Sequence, residues 1–183
     1  MSPSILKSFA ATALIATWSV SSVQAKPASS LVAFRAAQAN AGRHITAAPK
    51  GGLILGSTVL SNKEVFTLID LNGAPLKNGD KVQVTYDSGK RPSYWREAKG
   101  KITRTGDRPD AACTFQVTWK VPNVSLMLRA ASGNYVSGPG KGKPVAVVSK
   151  ATDRTAVFTL IKNPKPVKVV KTTKVVRKAP AKR

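Results

Sequence analysis

A chain of 183 residues with 42% apolar content has material for one ordinary domain with its own core. Thirty basic residues against eight acidic ones give a net charge of +22, an excess that folding does not require and that favours attraction to polyanions. A single cysteine and a single histidine exclude an intrachain disulfide and a recognisable metal cluster or Cys–His nucleophile, so no cofactor is expected.

Residues 1–25 have the layout of an export signal. Lys7 lies in a short leading region, and "FAATALIATWSV" (Phe9 to Val20) is an apolar stretch short of the ~20 residues a membrane span needs. "SSVQA" then places Val23 and Ala25 in the small-residue positions before a cut. Cleavage leaves Lys26 first and a net charge of +21. The expectation is a soluble protein, secreted or periplasmic, with no transmembrane segment in its mature form. Residues 26–30 are a short lead-in.

From residue 31 to residue 161 no helical period is visible. Short β-rich runs recur roughly every 8–12 residues between glycines and prolines, as in an all-β sandwich or barrel. The expected strands are 31–36, 44–48, 53–57 and 65–69, then 81–86, 93–97, 101–105 and 113–117, and last 124–130, 134–137, 145–149 and 156–161. They fall into three copies of a unit about 45 residues long. "FRAA" at Phe34–Ala37 returns as "LRAA" at Leu128–Ala131, and "FTLI" at Phe66–Ile69 returns at Phe158–Ile161, with "FQV" at Phe115–Val117 between them. "GRHITAAPKGGLIL", "PSYWREAKGKIT" and "GNYVSGPGKGKPVAV" each give a strand, a Gly/Lys-containing turn and a second strand. His44, Tyr94 and Tyr135 take equivalent places there, followed by Ile45, Trp95 and Val136.

A lone four-stranded unit cannot bury its apolar side, so the three units must close on one another. Propellers typically need at least four blades, which leaves a closed pseudo-symmetric barrel, the β-trefoil. Phe66, Phe115 and Phe158 are then equivalent core residues, as are Ile54, Ile102 and Val145. Alternation along "ACTFQV" puts Cys113 on one face with Phe115 and Val117, as a buried thiol.

The third unit, "VSLMLRAASGNYVSGPGKGKPVAVVSKATDRTAVFTLI", resembles a fascin-type β-trefoil repeat: an apolar strand ending in "LRA", a "G-x-Y-V" turn and strand, and a closing "F-x-L". The first unit is similar, with His44 where tyrosine usually stands. The second departs most, having "VTYDSGKRPSYWREA" in place of "LRA". The resemblance spans about residues 31–161 and implies a trefoil acting as a non-enzymatic binding scaffold. The family is best known for bundling actin filaments with several tandem trefoils. A single exported domain has neither the filament nor a second site, so actin is not the expected partner.

Most carboxylates sit in turns, Asp80 in "NGD", Asp87 in "YDSG", Asp107 and Asp110 in "GDRPD", where Asp side chains satisfy backbone donors. An acid pair for catalysis is therefore not expected. A lectin is the competing reading. Only "QVTW" (Gln116–Trp119) approaches the Q-x-W of ricin-type trefoils. Tyr94, Trp95, Trp119 and Tyr135 are the aromatic residues with faces for stacking on a ligand, although Tyr94 and Tyr135 read first as packing at internal symmetry points. "NVS" at Asn123–Ser125 matches a glycosylation sequon.

After Ile161 the composition changes. "KNPKPVKVVKTTKVVRKAPAKR" (162–183) holds nine basic residues and no acid, aromatic or glycine. Lys162, Lys165, Lys168, Lys171, Lys174 and Arg177 follow one another at intervals of three, and Lys178, Lys182 and Arg183 join them. Pro164, Pro166 and Pro180 disfavour a helix, so a disordered segment of polyproline II character is expected. Three residues per turn would then line the cations along one edge about 9 Å apart. Lys162, Lys165, Lys168, Lys171, Lys174, Arg177 and Lys178 are the expected polyanion-binding residues. The partner would be nucleic acid, lipopolysaccharide, teichoic acid, acidic polysaccharide or an anionic membrane surface, held in a salt-sensitive way. Residues 26–161 add a net +12 of their own, from 20 basic and 8 acidic residues. The expected function is non-catalytic attachment to such a polymer or surface. The alternative is carbohydrate binding by the trefoil, with the tail as a tether.

Overall fold

The computed structural model describes residues 26–167 except Ala39, Lys90 and Asp107; the expected signal at 1–25 and the tail from Lys168 onward lie outside the described residues. The described residues contain twelve strands. They are β1 (Ala28–Ala36), β2 (Ile45–Ala47), β3 (Leu53–Leu55), β4 (Phe66–Asp70), β5 (Lys81–Asp87), β6 (Pro92–Ala98), β7 (Lys101–Thr105), β8 (Phe115–Val121), β9 (Ser125–Arg129), β10 (Tyr135–Ser137), β11 (Ala146–Val148) and β12 (Phe158–Lys162). Each overlaps a run expected from the β-rich pattern. Alternation does most of this work: in β4, Phe66, Leu68 and Asp70 turn inward while Thr67 and Ile69 are half-exposed.

Six strands close a barrel. β1 pairs with β4, β4 with β5, β5 with β8, β8 with β9, β9 with β12, and β12 returns to β1, all antiparallel. Closure removes the unpaired edges that would otherwise template aggregation. The other strands form hairpins β2–β3, β6–β7 and β10–β11. These converge: Ile102 N–H donates to Val145 C=O at 3.0 Å, and Val145 N–H donates to Leu53 C=O at 2.8 Å. Leu53, Ile102 and Val145 are buried at this hub. Ile54 was the residue expected there, but it is half-buried and faces the other way. A one-residue change of phase reverses a strand's faces, and "LIL" is apolar throughout, so the sequence carries no sign of which phase points inward.

The core is aromatic at its centre. Phe34 lies 5.1 Å from Trp95, 6.3 Å from Phe66 and 6.5 Å from Phe158 between ring centroids. Phe66, Phe115 and Phe158 are all buried, as the repeated "F" positions imply. Each begins a strand that follows a one-turn 3-10 segment, at Asn62–Glu64, Ala111–Cys113 and Arg154–Ala156. The first is held by a capping box in which Glu64 accepts from the Ser61 amide (2.7 Å) and hydroxyl (2.6 Å). Position 44 lies opposite Arg35, Tyr94 opposite Thr85 and Tyr135 opposite Arg129, each on the preceding barrel strand.

The folded part does not end at Ile161. β12 runs through Lys162, the Asn163 amide donates to Leu31 C=O (2.9 Å), and the Val167 amide donates to Leu60 C=O (2.9 Å). Pro164 is buried between these two bonds. Residues 162–167 therefore lie on the barrel rather than in the expected free tail. A run rich in lysine and proline hides this, because one buried proline leaves no periodic signal.

Candidate functional site

Among the described residues the carboxylates are engaged in local structure. Asp70 Oδ1 accepts from the Asn72 amide, Asp80 from Lys77, Asp87 from Gly89, and Asp153 from Thr155. Glu97 accepts from the Ser132 hydroxyl at 2.7 Å and its amide at 3.3 Å. Asp110 pairs with Arg96 at 2.9 Å. The turn roles expected for Asp80 and Asp87 are thus in place, and Asp107 lies outside the described residues. Hydrogen bonds from Thr155 hold the Asp153 carboxyl below its ordinary range. Burial instead pushes Asp70 up, and its Oδ2 finds no partner in a cavity walled by Leu68, Leu76 and Leu160.

The four aromatic candidates lie on three different strands. Trp95 is fully buried between Phe34 and Phe66, 5.0 Å from the latter, and offers no face to a ligand. Trp95 is therefore a core residue and not the stacking residue expected: on β6 the core-facing phase falls on Trp95 and leaves Tyr94 half-buried. Trp119 packs against the main core, and Tyr135 packs against a second cluster around Met127, Ala156 and Val157. Tyr94, Trp119 and Tyr135 lie on β6, β8 and β10, and none of the four lines the grooves described below.

Three grooves repeat one construction, each beside a 3-10 segment and the strand that follows it. One, of about 420 Å³, has Lys81, Gln116 and Arg129 in a row across β5, β8 and β9. The second includes Lys120 and Arg154. The third is lined by Asn62, Val65 and Thr67 and by Pro164 and Pro166 of the chain's own final described segment. One copy of this groove thus receives the strap leading to the tail.

Of the expected polyanion-binding residues, Lys162 and Lys165 are described. Both are exposed, and Lys162 Nζ donates to Asn123 Oδ1 at 3.4 Å. Lys168, Lys171, Lys174, Arg177 and Lys178 lie outside the described residues. Arg104 is put to structural use. It donates to the Gly52 and Ala48 carbonyls and stacks 4.6 Å from the Tyr86 ring centre, while burial lowers its pKa. Cys113 is buried, its thiol 3.4 Å from Asp110 Oδ1, and burial raises its pKa, the environment of an inert thiol. His44 is buried with Nδ1–H donating to Ser57 C=O (3.1 Å), and burial lowers its pKa. Among the described residues no group of three or more His, Cys, Asp or Glu side chains is placed to hold a metal ion.

Sequence reasoning saw lysines in the hairpin turns without assigning them a role. Lys50, Lys99, Lys101, Lys141 and Lys143 are all exposed on the hairpins that meet at the hub. The signal was the same Gly/Lys pairing in three turns, which acquires meaning only once the hairpins converge.

No protein-family model and no characterised relative matches the chain by sequence. Solved structures do match. A designed three-fold symmetric protein, ThreeFoil, superposes with a TM-score of 0.56 over 72% of this chain and 97% of its own, at 11% identity. The domain is β-trefoil-like. The SDF2-like protein from Arabidopsis thaliana agrees, with a TM-score of 0.56 over 78% of this chain and 98% of its own, at 9% identity. At these identities the likeness concerns the fold alone.

Proposed function

We propose that this protein is an exported, non-catalytic attachment protein: a fascin-like trefoil of three four-stranded repeats of about 45 residues with a polycationic tail, which binds an anionic polymer or cell surface. The observation that carries the reading is the disposition of charge. The carboxylates clasp turns, cap a 3-10 segment or hold a serine, and Asp110 is paired with Arg96. Among the described residues most lysines and arginines face solvent, and such a field draws in polyanions with a strong dependence on salt. The repeat reading is supported by the common register of His44, Tyr94 and Tyr135 against the preceding strands, and by the three grooves of like construction.

The test compares the chain from Lys26 to Arg183 with the same chain ending at Val167, on a linear polyanion and on a panel of neutral glycans, at low and high salt. Polyanion binding that weakens steeply with salt and on tail removal is expected. Salt-insensitive binding of neutral glycans by the shorter chain would select the carbohydrate reading instead.

A further inference from the structure

The hairpin turns place five lysines on one cap. Lys50 lies in the β2–β3 turn, Lys99 and Lys101 bracket the β6–β7 turn, and Lys141 and Lys143 lie in the β10–β11 connection. The three segments are joined through their backbones. A Cβ on Gly51 would come 2.9 Å from the Arg104 carbonyl oxygen. Gly100 C=O accepts from Val147 (3.1 Å), Gly142 N–H donates to Leu55 C=O (2.7 Å), and Leu55 N–H donates to Lys143 C=O (3.2 Å). Ala146 sits opposite Lys101 in the β11–β7 ladder.

Among the described residues these five lysines have no acidic partner. Glu97 is the only acidic residue on the three hairpins, and its carboxylate is held by Ser132. Arg96 is paired with Asp110, and Arg104 is held by carbonyls and Tyr86. None of the five lysines has a carboxylate within ion-pair reach among the described residues.

The backbone adds an independent observation. Lys50 has φ +56° and Lys99 has φ +50°, each followed by a glycine, Gly51 at +76° and Gly100 at +74°. The two-residue β6–β7 turn, left-handed at both positions, is of the kind that favours Asn-Gly, because the short polar side chain of asparagine is well tolerated there. The longer β2–β3 loop holds the same left-handed Lys-Gly pair. In the third connection Lys141–Gly142 stands in the matching place, with Gly142 at +71°. Among the described residues neither the Lys50 nor the Lys99 ammonium has a hydrogen-bond or ion-pair partner. Two turns thus retain a lysine where local geometry favours asparagine, and strain kept at such positions points to function.

We propose that this cap is a docking surface for a single-chain phosphate polymer, distinct from the tail. The proposal rests on the reading that the protein binds polyanions, and it locates a site for that binding within the folded domain. Lysine ammoniums are compact point charges without the fork that fixes a planar partner, and no aromatic residue stands among them to stack on bases. Such a set reads linear charge density. A flexible chain can pass between the turns and meet lysines from each.

The experiment uses the full chain and its Lys50→Asn/Lys99→Asn variant, with inorganic polyphosphate as probe, titrated over a range of salt. The variant should bind more weakly, and its slope of log affinity against log salt should be shallower by about 1.4, at about 0.7 per lost contact on a single strand. It should also melt at a higher temperature than the parent, since asparagine relieves both turns; a structural lysine would not give stability and binding changes of opposite sign. An unchanged slope in this variant, alongside a loss on Lys171→Asn/Lys174→Asn, would overturn the cap site while leaving polyanion binding by the tail intact. Failure of the parent chain to bind either polyphosphate or dextran sulfate would overturn both readings. Binding to phosphatidylglycerol vesicles without binding to polyphosphate would overturn the polymer assignment in favour of a membrane surface.

Discussion

Trp95 separates a core role from a ligand-stacking role most sharply, because its surroundings set the size of the effect. It is fully buried, with Phe34 and Phe66 rings at 5.1 and 5.0 Å. Truncating a buried tryptophan to alanine typically costs about 3–5 kcal/mol. Two aromatic contacts place Trp95→Ala towards the top of that range. Against a total stability of about 5–15 kcal/mol for a domain, this leaves little margin. Trp95→Phe tests the reasoning more finely. The indole Nε1 is buried without a hydrogen-bond partner, so the smaller ring surrenders apolar area and no hydrogen bond. A loss of about 1–2 kcal/mol is expected. Urea titrations followed by far-ultraviolet circular dichroism should show both midpoints falling in that order with unchanged slopes. A Trp95→Ala midpoint equal to the parent's would refute the core assignment, and selective loss of glycan binding at full stability would return Trp95 to a surface role.

Three further outcomes follow from particular contacts. His44 is buried neutral with a lowered pKa, so the unfolded chain takes up a proton first and stability declines as pH falls below about 6.5. His44→Gln should flatten that decline, read as melting temperature between about pH 7.5 and pH 5. Ending the chain after Ile161 removes the Asn163 and Val167 backbone bonds and one wall of the groove that Pro164 and Pro166 line. It should cost about 1–3 kcal/mol relative to a chain ending at Val167, measured by urea midpoint, whereas equal midpoints would mean that the strap adds nothing. Gly51→Ala introduces a Cβ 2.9 Å from the Arg104 carbonyl oxygen at a φ of +76° and should destabilise by about 1–3 kcal/mol in the same assay.

Much of the barrel was legible because its strands alternate and its closing phenylalanines recur. "FTLI" places Phe66 and Phe158 inward in the same way, and each follows a 3-10 segment of one turn. Legibility failed wherever alternation did. "LIL" is apolar at three successive positions, so Leu53 and Ile54 could not be ranked for the hub. "SYWRE" sets two aromatics side by side, and only the pairing of β6 shows that Trp95 faces inward while Tyr94 does not. Pro164 was invisible for another reason: its neighbours Asn163 and Val167 are anchored to Leu31 and Leu60, more than a hundred residues away in sequence. The turn lysines were plain to see, yet convergence of the hairpins that carry Lys50, Lys99 and Lys143 is a property of the closed structure, and left-handed φ at two of them has no signature beyond the glycine that follows. Within the tail the regular spacing is explicit in sequence, and Lys162 and Lys165 are the members among the described residues.

The central claim is that uncompensated positive charge mediates attachment. Its most direct test is the affinity of the chain from Lys26 to Arg183 for inorganic polyphosphate, measured between about 50 and 200 mM salt. A linear fall of log affinity with log salt is predicted, with a loss of at least about tenfold over that range from several lysine contacts. Affinity that holds constant across it, or no measurable binding at the lowest salt, would contradict the account.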